Sequence, residues 1–79
     1  MHDLAEGLAL HWLGLAHFHG HGVEKDLARA RALQLEAAAR GVVDAQLELS
    51  LLLAQGIGGR RDARGAARWE AKAAEAGHP

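Results

Sequence analysis

The sequence predicts an all-α fold, an α/α solenoid of two antiparallel helical hairpins, and three observations support that prediction. The chain repeats itself at an offset of 36 residues, and such a period is typical of stacked helical hairpins. Alanine and leucine, which favour helices, dominate the 79 residues. Apolar residues such as Leu8, Trp12 and Leu15 recur three or four places apart, as on one face of a helix. The pairs that match across the repeat include Gly20 and Gly56, Gly22 and Gly58, Asp26 and Asp62, Ala30 and Ala66, and Gly41 and Gly77.

Start and stop signals place four helices along the chain. We predict them over residues 4–18, 27–40, 43 or 44–55, and 63–76. Asp26 and Asp62 stand where a carboxylate accepts hydrogen bonds from free N–H groups at a helix start, and we expect Asp3 to do the same for the first helix. The second and fourth helices should stop at Gly41 and Gly77. Because the connections are short, neighbouring helices should run antiparallel.

Small residues at matched places predict close packing within each hairpin. Gly14 on the first helix and Ala30 on the second lie at matched places of one hairpin, and Ser50 and Ala66 do so in the next. Small side chains at these places let two helix backbones approach each other. A larger residue there should overpack the contact.

Length and composition limit the kinds of partner and site. We expect one domain, 1–79, with repeat one over about 5–41 and repeat two over about 42–77. The formal net charge of −1 argues against a nucleic-acid partner, and the absence of cysteine excludes disulfides and thiolate metal sites. The longest unbroken apolar run, 51–54, is far too short to span a membrane, and the first residues lack the pattern of a secretory signal. We therefore expect a cytoplasmic chain, either complete or cut from a longer protein.

The repeated residues resemble a known family, the Sel-one-like repeat, which is a relative of the tetratricopeptide repeat. Repeat one carries the pattern as Ala9, Leu13, Gly14, Gly20, Gly22, Val23, Asp26, Ala30, Ala37, Ala38 and Gly41. Repeat two carries it as Ala45, Leu49, Gly56, Gly58, Asp62, Ala66, Trp69, Lys72, Ala73, Ala74 and Gly77. The departures are His17 and Leu53 at a place usually held by tyrosine, Ser50 for a glycine, and Gly59 for a valine.

The resemblance implies a right-handed superhelix whose concave face is built mainly from the first helix of each hairpin. It also implies an adaptor role in assembling protein complexes, linked in bacteria to signalling, secretion or the cell envelope. The main hypothesis is a non-enzymatic module that binds a protein or peptide partner on the concave face and needs no cofactor. The candidate contact residues are the variable positions of the first helices: Leu10, His11, Trp12, His17, Gln46, Glu48, Ser50 and Leu53.

Two further hypotheses remain open. Solenoids generally need at least three repeats and polar ends, whereas this chain has two repeats and an apolar last helix, so copies of it could self-assemble. Imidazole binds zinc, copper or nickel, and His17, His19 and His21 lie close together in sequence, which makes a metal-binding loop an alternative. The simpler interpretation is that His17 packs in place of the tyrosine while His19 and His21 face solvent.

The remaining motifs favour structure over chemistry. Arg60, Arg61 and Arg64 could grip a carboxylate or phosphate on a partner, or simply form a solvated loop and helix start. No strand precedes the glycines of this loop and no Lys-Ser/Thr pair follows them, so they do not form a phosphate-binding loop. No nucleophile, base and orienting group fall together in a recognisable arrangement, so we do not expect an enzyme.

Overall fold

A computed structural model describes residues 2–77 of the chain, with side chains from residue 4 onward, and contains four helices in that range. Their bounds are α1 His2–His19, α2 Leu27–Ala39, α3 Val43–Gln55 and α4 Ala63–Gly77. Helix α1 packs on α2, α2 on α3, and α3 on α4, so two hairpins stack side by side. The predicted all-α solenoid of two antiparallel hairpins is confirmed.

The predicted helix bounds hold to within two residues, and the main correction is at the first helix. Helix α1 begins at His2, so Asp3 lies inside the helix instead of preceding it as a cap, and its side chain is outside the described part. Pro79, which follows the predicted end of the last helix in sequence, also lies outside the described residues. Helix α2 ends at Ala39, one residue before the predicted end, because Arg40 has left the helical region of backbone space.

The two predicted aspartate caps are confirmed. Asp26 Oδ1 accepts a hydrogen bond from the backbone N–H of Arg29 at 3.0 Å, and Asp62 Oδ1 accepts one from Gly65 at 2.9 Å. Each bond satisfies a donor that the first turn of a helix leaves free. The second helix of each repeat therefore begins with the same kind of aspartate cap.

The two long loops also close in the same way. Gly20 (φ 74°) and Gly56 (φ 68°) adopt the left-handed conformation that ends α1 and α3, which glycine enters without a steric cost. At the far end of each loop, the N–H of Asp26 donates to the carbonyl of His17 at 2.9 Å, and the N–H of Asp62 donates to Leu53 at 2.8 Å. These backbone bonds fix the direction in which each second helix returns.

The core lies between the hairpins and is built largely from small residues. Its buried members are Ala37, Ala38, Val42, Ala45, Leu49, Leu53 and Ala66, with Leu10, Ala54 and Trp69 packed against them. Gly14 shows how close the helices come: a Cβ there would lie 2.8 Å from Gln34 Nε2 and 3.3 Å from the Ala30 carbonyl oxygen. The predicted close approach of α1 and α2 at Gly14 and Ala30 is confirmed, and Ser50 and Ala66 are likewise buried.

Candidate protein-binding surface

The first helix of each hairpin turns a row of large apolar side chains to solvent. On α1, Leu4, Leu8 and Trp12 follow one another at four-residue spacing, and on α3 Leu47 and Leu51 do the same. Trp12 is 65% exposed and Leu51 is 55% exposed. Folding normally removes most of the surface of large apolar side chains from contact with water. Exposed rows of them therefore mark candidate binding surfaces.

Repeat equivalence places Leu51 on the same side of the molecule as the row on α1. Leu8, Trp12 and Leu15 on α1 are offset by 36 residues from Asp44, Glu48 and Leu51 on α3, and all six positions are exposed or half-buried. Since equivalent positions in stacked repeats point in equivalent directions, the outer sides of α1 and α3 form one surface. We call Leu8, Trp12, Leu47 and Leu51 the first-helix patch.

Four of the predicted contact residues lie inside the packed protein, which corrects their assignment to the surface. They are His11, Gln46, Ser50 and Leu53. His11 shares hydrogen bonds with Gln34, whereas Leu53 belongs to the core between the hairpins. Gln46 Nε2 donates to the Ala38 carbonyl at 3.2 Å, and Ser50 Oγ donates to the Leu47 carbonyl at 2.7 Å. These side chains are buried, so a partner on the surface would not touch them.

The other four predicted contact residues remain accessible. Trp12 is exposed, and Leu10, His17 and Glu48 are half-buried. The Trp12 indole leans on the His11 imidazole, with the ring centroids 5.6 Å apart. Trp12 also borders a shallow depression of about 400 Å³ that is lined by Leu15, Ala16, His19 and His21. This end of α1 therefore combines an exposed indole with an adjoining hollow.

Sequence reasoning missed Leu8, Leu47 and Leu51. The signal was present, since Leu47 and Leu51 stand four residues apart on a helix, but α3 is apolar on nearly every side. Leu47 also falls opposite His11 in the repeat, and that mismatch marks a position where the two repeats differ. A helix with leucines all around it gives no clear indication of which leucines are buried.

In the histidine-rich loop, the described side chains do not group three potential metal ligands around one point. His17 Nδ1 lies 3.0 Å from the Glu24 carbonyl oxygen, and the rings of His19 and His21 stack with their centroids 5.3 Å apart. Among the described residues, no three histidine or acidic side chains are grouped as a metal site would need. The half-buried His17 instead ties the end of α1 to the following loop, as expected for a residue in a packing position.

The arginine-rich segment before α4 is mainly solvated. Arg60 and Arg64 are exposed, and Arg61 Nε donates to the Ala54 carbonyl at 2.9 Å, where it ties the loop to the end of α3. In the part of the chain with described helices, none is both long and apolar enough to cross a membrane.

Two stacked hairpins with an open side built from repeat-equivalent helices define a helical-repeat protein. The chain belongs to the Sel1 repeat family, which matches residues 7–42 and 43–78 in succession. Repeats of this family generally serve as protein-interaction modules on helical scaffolds and are typically non-enzymatic. The resemblance drawn from the sequence is thereby confirmed.

Two proteins with similar sequences support the same placement. A Sel1 repeat protein from Oxalobacter formigenes has a crystal structure that superposes with a TM-score of 0.88 at 42% identity, over 91% of this chain and 21% of that one. An exopolysaccharide production negative regulator from Rhizobium leguminosarum bv. viciae is 36% identical over 73 residues, or 85% of this chain and 27% of the relative. The chain thus spans about a quarter of the length of these proteins.

Proposed function

We propose that this chain is a non-enzymatic adaptor that binds a protein partner through the first-helix patch. The observation that carries the proposal is the exposure of Trp12 beside rows of exposed leucines on the outer sides of α1 and α3. Tryptophan is enriched at the energetic centres of protein interfaces, where its large ring is removed from water. The same surface contains few charges, and Glu48 stands at its middle as a polar group.

The rows are suited to an apolar helix or an extended peptide. Side chains four residues apart on α1 and α3 leave shallow furrows, into which the apolar anchors of a partner segment would fit. Leu10 packs against the core and His17 Nδ1 lies beside the Glu24 carbonyl, so both side chains lie on the other side of α1 and outside this surface. The binding energy would come from covering Trp12 and the leucines, with polar groups at the rim.

A role in regulation fits the similarity to the Rhizobium protein. That relative is named for negatively regulating exopolysaccharide production, and this chain resembles about a quarter of its length. A repeat module inside such a regulator would act by holding another protein in place. We propose the same kind of adaptor role here, in a bacterial signalling or cell-envelope process.

The experiment that tests this proposal compares two charge-insertion variants. Trp12→Glu combined with Leu51→Glu places two carboxylates in the first-helix patch, whereas Leu35→Glu places one on α2 at a leucine that is 48% exposed. Each immobilised variant is used to capture proteins from a bacterial extract. The partner, once identified and purified, is then titrated against each variant by calorimetry.

The patch variant should bind the purified partner at least about 30-fold more weakly, since losing a tryptophan anchor costs about 2 kcal/mol or more. The Leu35→Glu variant should bind like the unmodified chain. Equal affinity for the patch variant and the unmodified chain would overturn the assignment of the surface. Helical content, measured by circular dichroism, confirms that both variants are folded.

A further inference from the structure

The contact that joins the two hairpins, between α2 and α3, is encoded a second time at the outer sides of α1 and α4. We propose that copies of this chain associate head to tail: the side of α4 that carries Ala67 and Ala74 in one copy covers the side of α1 that carries Ala9 and Leu13 in the next. The observations behind this inference are independent of the first-helix patch and of any partner bound there.

On α1, residues are exposed whose equivalents in the second repeat, on α3, are buried. Leu49 on α3 is 1% exposed beneath α2, whereas Leu13, 36 residues earlier on α1, is 38% exposed. Ala45 is fully buried, and its mate Ala9 is exposed. The residue types are identical at both places. Helix α1 therefore carries the same apolar residues with which α3 packs against α2.

The α4 half shows the same relation. Ala38 on α2 is buried against α3, and its carbonyl accepts a hydrogen bond from Gln46. Its mate Ala74 on α4 is exposed. Ala67, the mate of Arg31, is also exposed and small, so nothing bulky blocks an approaching helix. Helix α4 thus keeps the small Ala38 position of the side by which α2 covers α3, and it carries alanines in place of Arg31 and Leu35.

The loop after α1 supplies a third, separate match. Gly58, in the loop after α3, lies directly on the backbone carbonyl of Leu27 at the start of α2, so close that a Cβ could not fit. Its mate Gly22 has the same positive φ but nothing within 4 Å of where a Cβ would be. In a head-to-tail pair, Gly22 would receive the start of α4, at Ala63, from the neighbouring copy.

A second copy is the natural occupant because one chain carries both halves of the contact. The pairing joins two different surfaces, so each added copy leaves the same two surfaces free and growth can continue. Several departures weaken the head-to-tail contact relative to the contact between α2 and α3. On the α1 side, Leu10 replaces Gln46, His17 replaces Leu53, and Glu6 replaces Val42. On the α4 side, Ala67 replaces Arg31, which donates to the Ile57 carbonyl, and Ala71 replaces Leu35. We therefore expect reversible assembly that depends on protein concentration.

Sedimentation equilibrium of the 79-residue chain from about 5 to 500 μM tests this, a range that brackets micromolar dissociation constants. The weight-average mass should rise steadily above the monomer value of 8.4 kDa. Leu13→Glu and Ala74→Glu each block one half of the contact, so each variant alone should stay monomeric. Both positions are exposed, so neither change should disturb the fold of the single chain.

A mixture of the two variants gives the sharpest test. Leu13→Glu keeps a usable α4 side and Ala74→Glu keeps a usable α1 side, so an equimolar mixture should form a capped pair of twice the monomer mass. Symmetric pairing of like surfaces would not give this result. A monomer at every concentration, or assembly that survives either single variant, or a mixture that stays monomeric, would overturn the proposal.

A control variant separates this inference from the proposed function. Leu51→Glu lies in the first-helix patch and should assemble like the unmodified chain. Leu13→Glu lies outside the patch and should bind a partner like the unmodified chain. Loss of assembly in Leu51→Glu would place the self-contact on the patch and overturn the head-to-tail arrangement, whatever the outcome of partner binding.

Discussion

Replacing Gln34 with leucine should destabilise the chain because it removes the hydrogen-bond partner of a buried histidine. Gln34 is 1% exposed and His11 is 6% exposed. Gln34 Nε2 donates to the His11 carbonyl at 3.2 Å, and Gln34 Oε1 lies 2.8 Å from His11 Nδ1. Because a carbonyl oxygen can only accept a hydrogen bond, the amide nitrogen of Gln34 must face the His11 carbonyl. Gln34 Oε1 then accepts a hydrogen bond from the N–H at His11 Nδ1.

The size of the effect follows from what Gln34→Leu leaves behind. A buried donor without a partner costs about 1–3 kcal/mol, and each lost hydrogen bond contributes about 0.5–1.5 kcal/mol. The leucine recovers part of this by burying apolar surface, so we expect a net loss of about 2–3 kcal/mol. In a domain of this size that corresponds to a fall in the thermal midpoint of about 10–20 °C.

The double variant His11→Leu with Gln34→Leu is the matched control. With both partners replaced by apolar groups, no buried donor is left unpaired, so much of the lost stability should return. Urea unfolding of the wild type, both single variants and the double variant, followed by circular dichroism, measures the coupling. An unchanged midpoint for Gln34→Leu, or a double variant destabilised by the sum of the single effects, would refute the reasoning.

Three further changes test the packing and the caps by the same unfolding measurement. Gly58→Ala should cost at least about 1 kcal/mol more than Gly22→Ala, since both add a side chain at positive φ but only Gly58 lies on the carbonyl of Leu27; equal costs would argue against that contact. Asp26→Ala should cost about 1 kcal/mol through loss of the cap, and no change in the midpoint would speak against it. Ala66→Leu should cost about 1–3 kcal/mol by overpacking the second hairpin, so an unaltered thermal midpoint would contradict the close approach expected there.

Local rules explain why so much of the fold could be predicted. The caps at Asp26 and Asp62 and the glycines that end α1 and α3 act within a few residues, so their effect can be read directly from the chain. The repeat then shows that the same unit occurs twice. The exception was Asp3, which has the right residue type for a cap but lies inside α1.

The candidate surface could be predicted only in part. Trp12 was expected on the open side and is exposed there, whereas His11 was expected beside it and is buried. The two residues are neighbours in sequence and lie about 100° apart around the helix. His11 is held in the interior by two hydrogen bonds with Gln34, which lies 23 residues away in sequence.

The sequence by itself therefore determined the helices, their order, the hairpins and the family. The tertiary structure decided which sides of α1 and α3 are open. The physical reason is that α3 packs against two neighbours, α4 of its own hairpin and α2 of the preceding one, whereas α1 packs mainly against α2. Periodicity within α3 does not separate the buried Leu49, Leu52 and Leu53 from the exposed Leu47 and Leu51, because only the directions of those neighbours distinguish them.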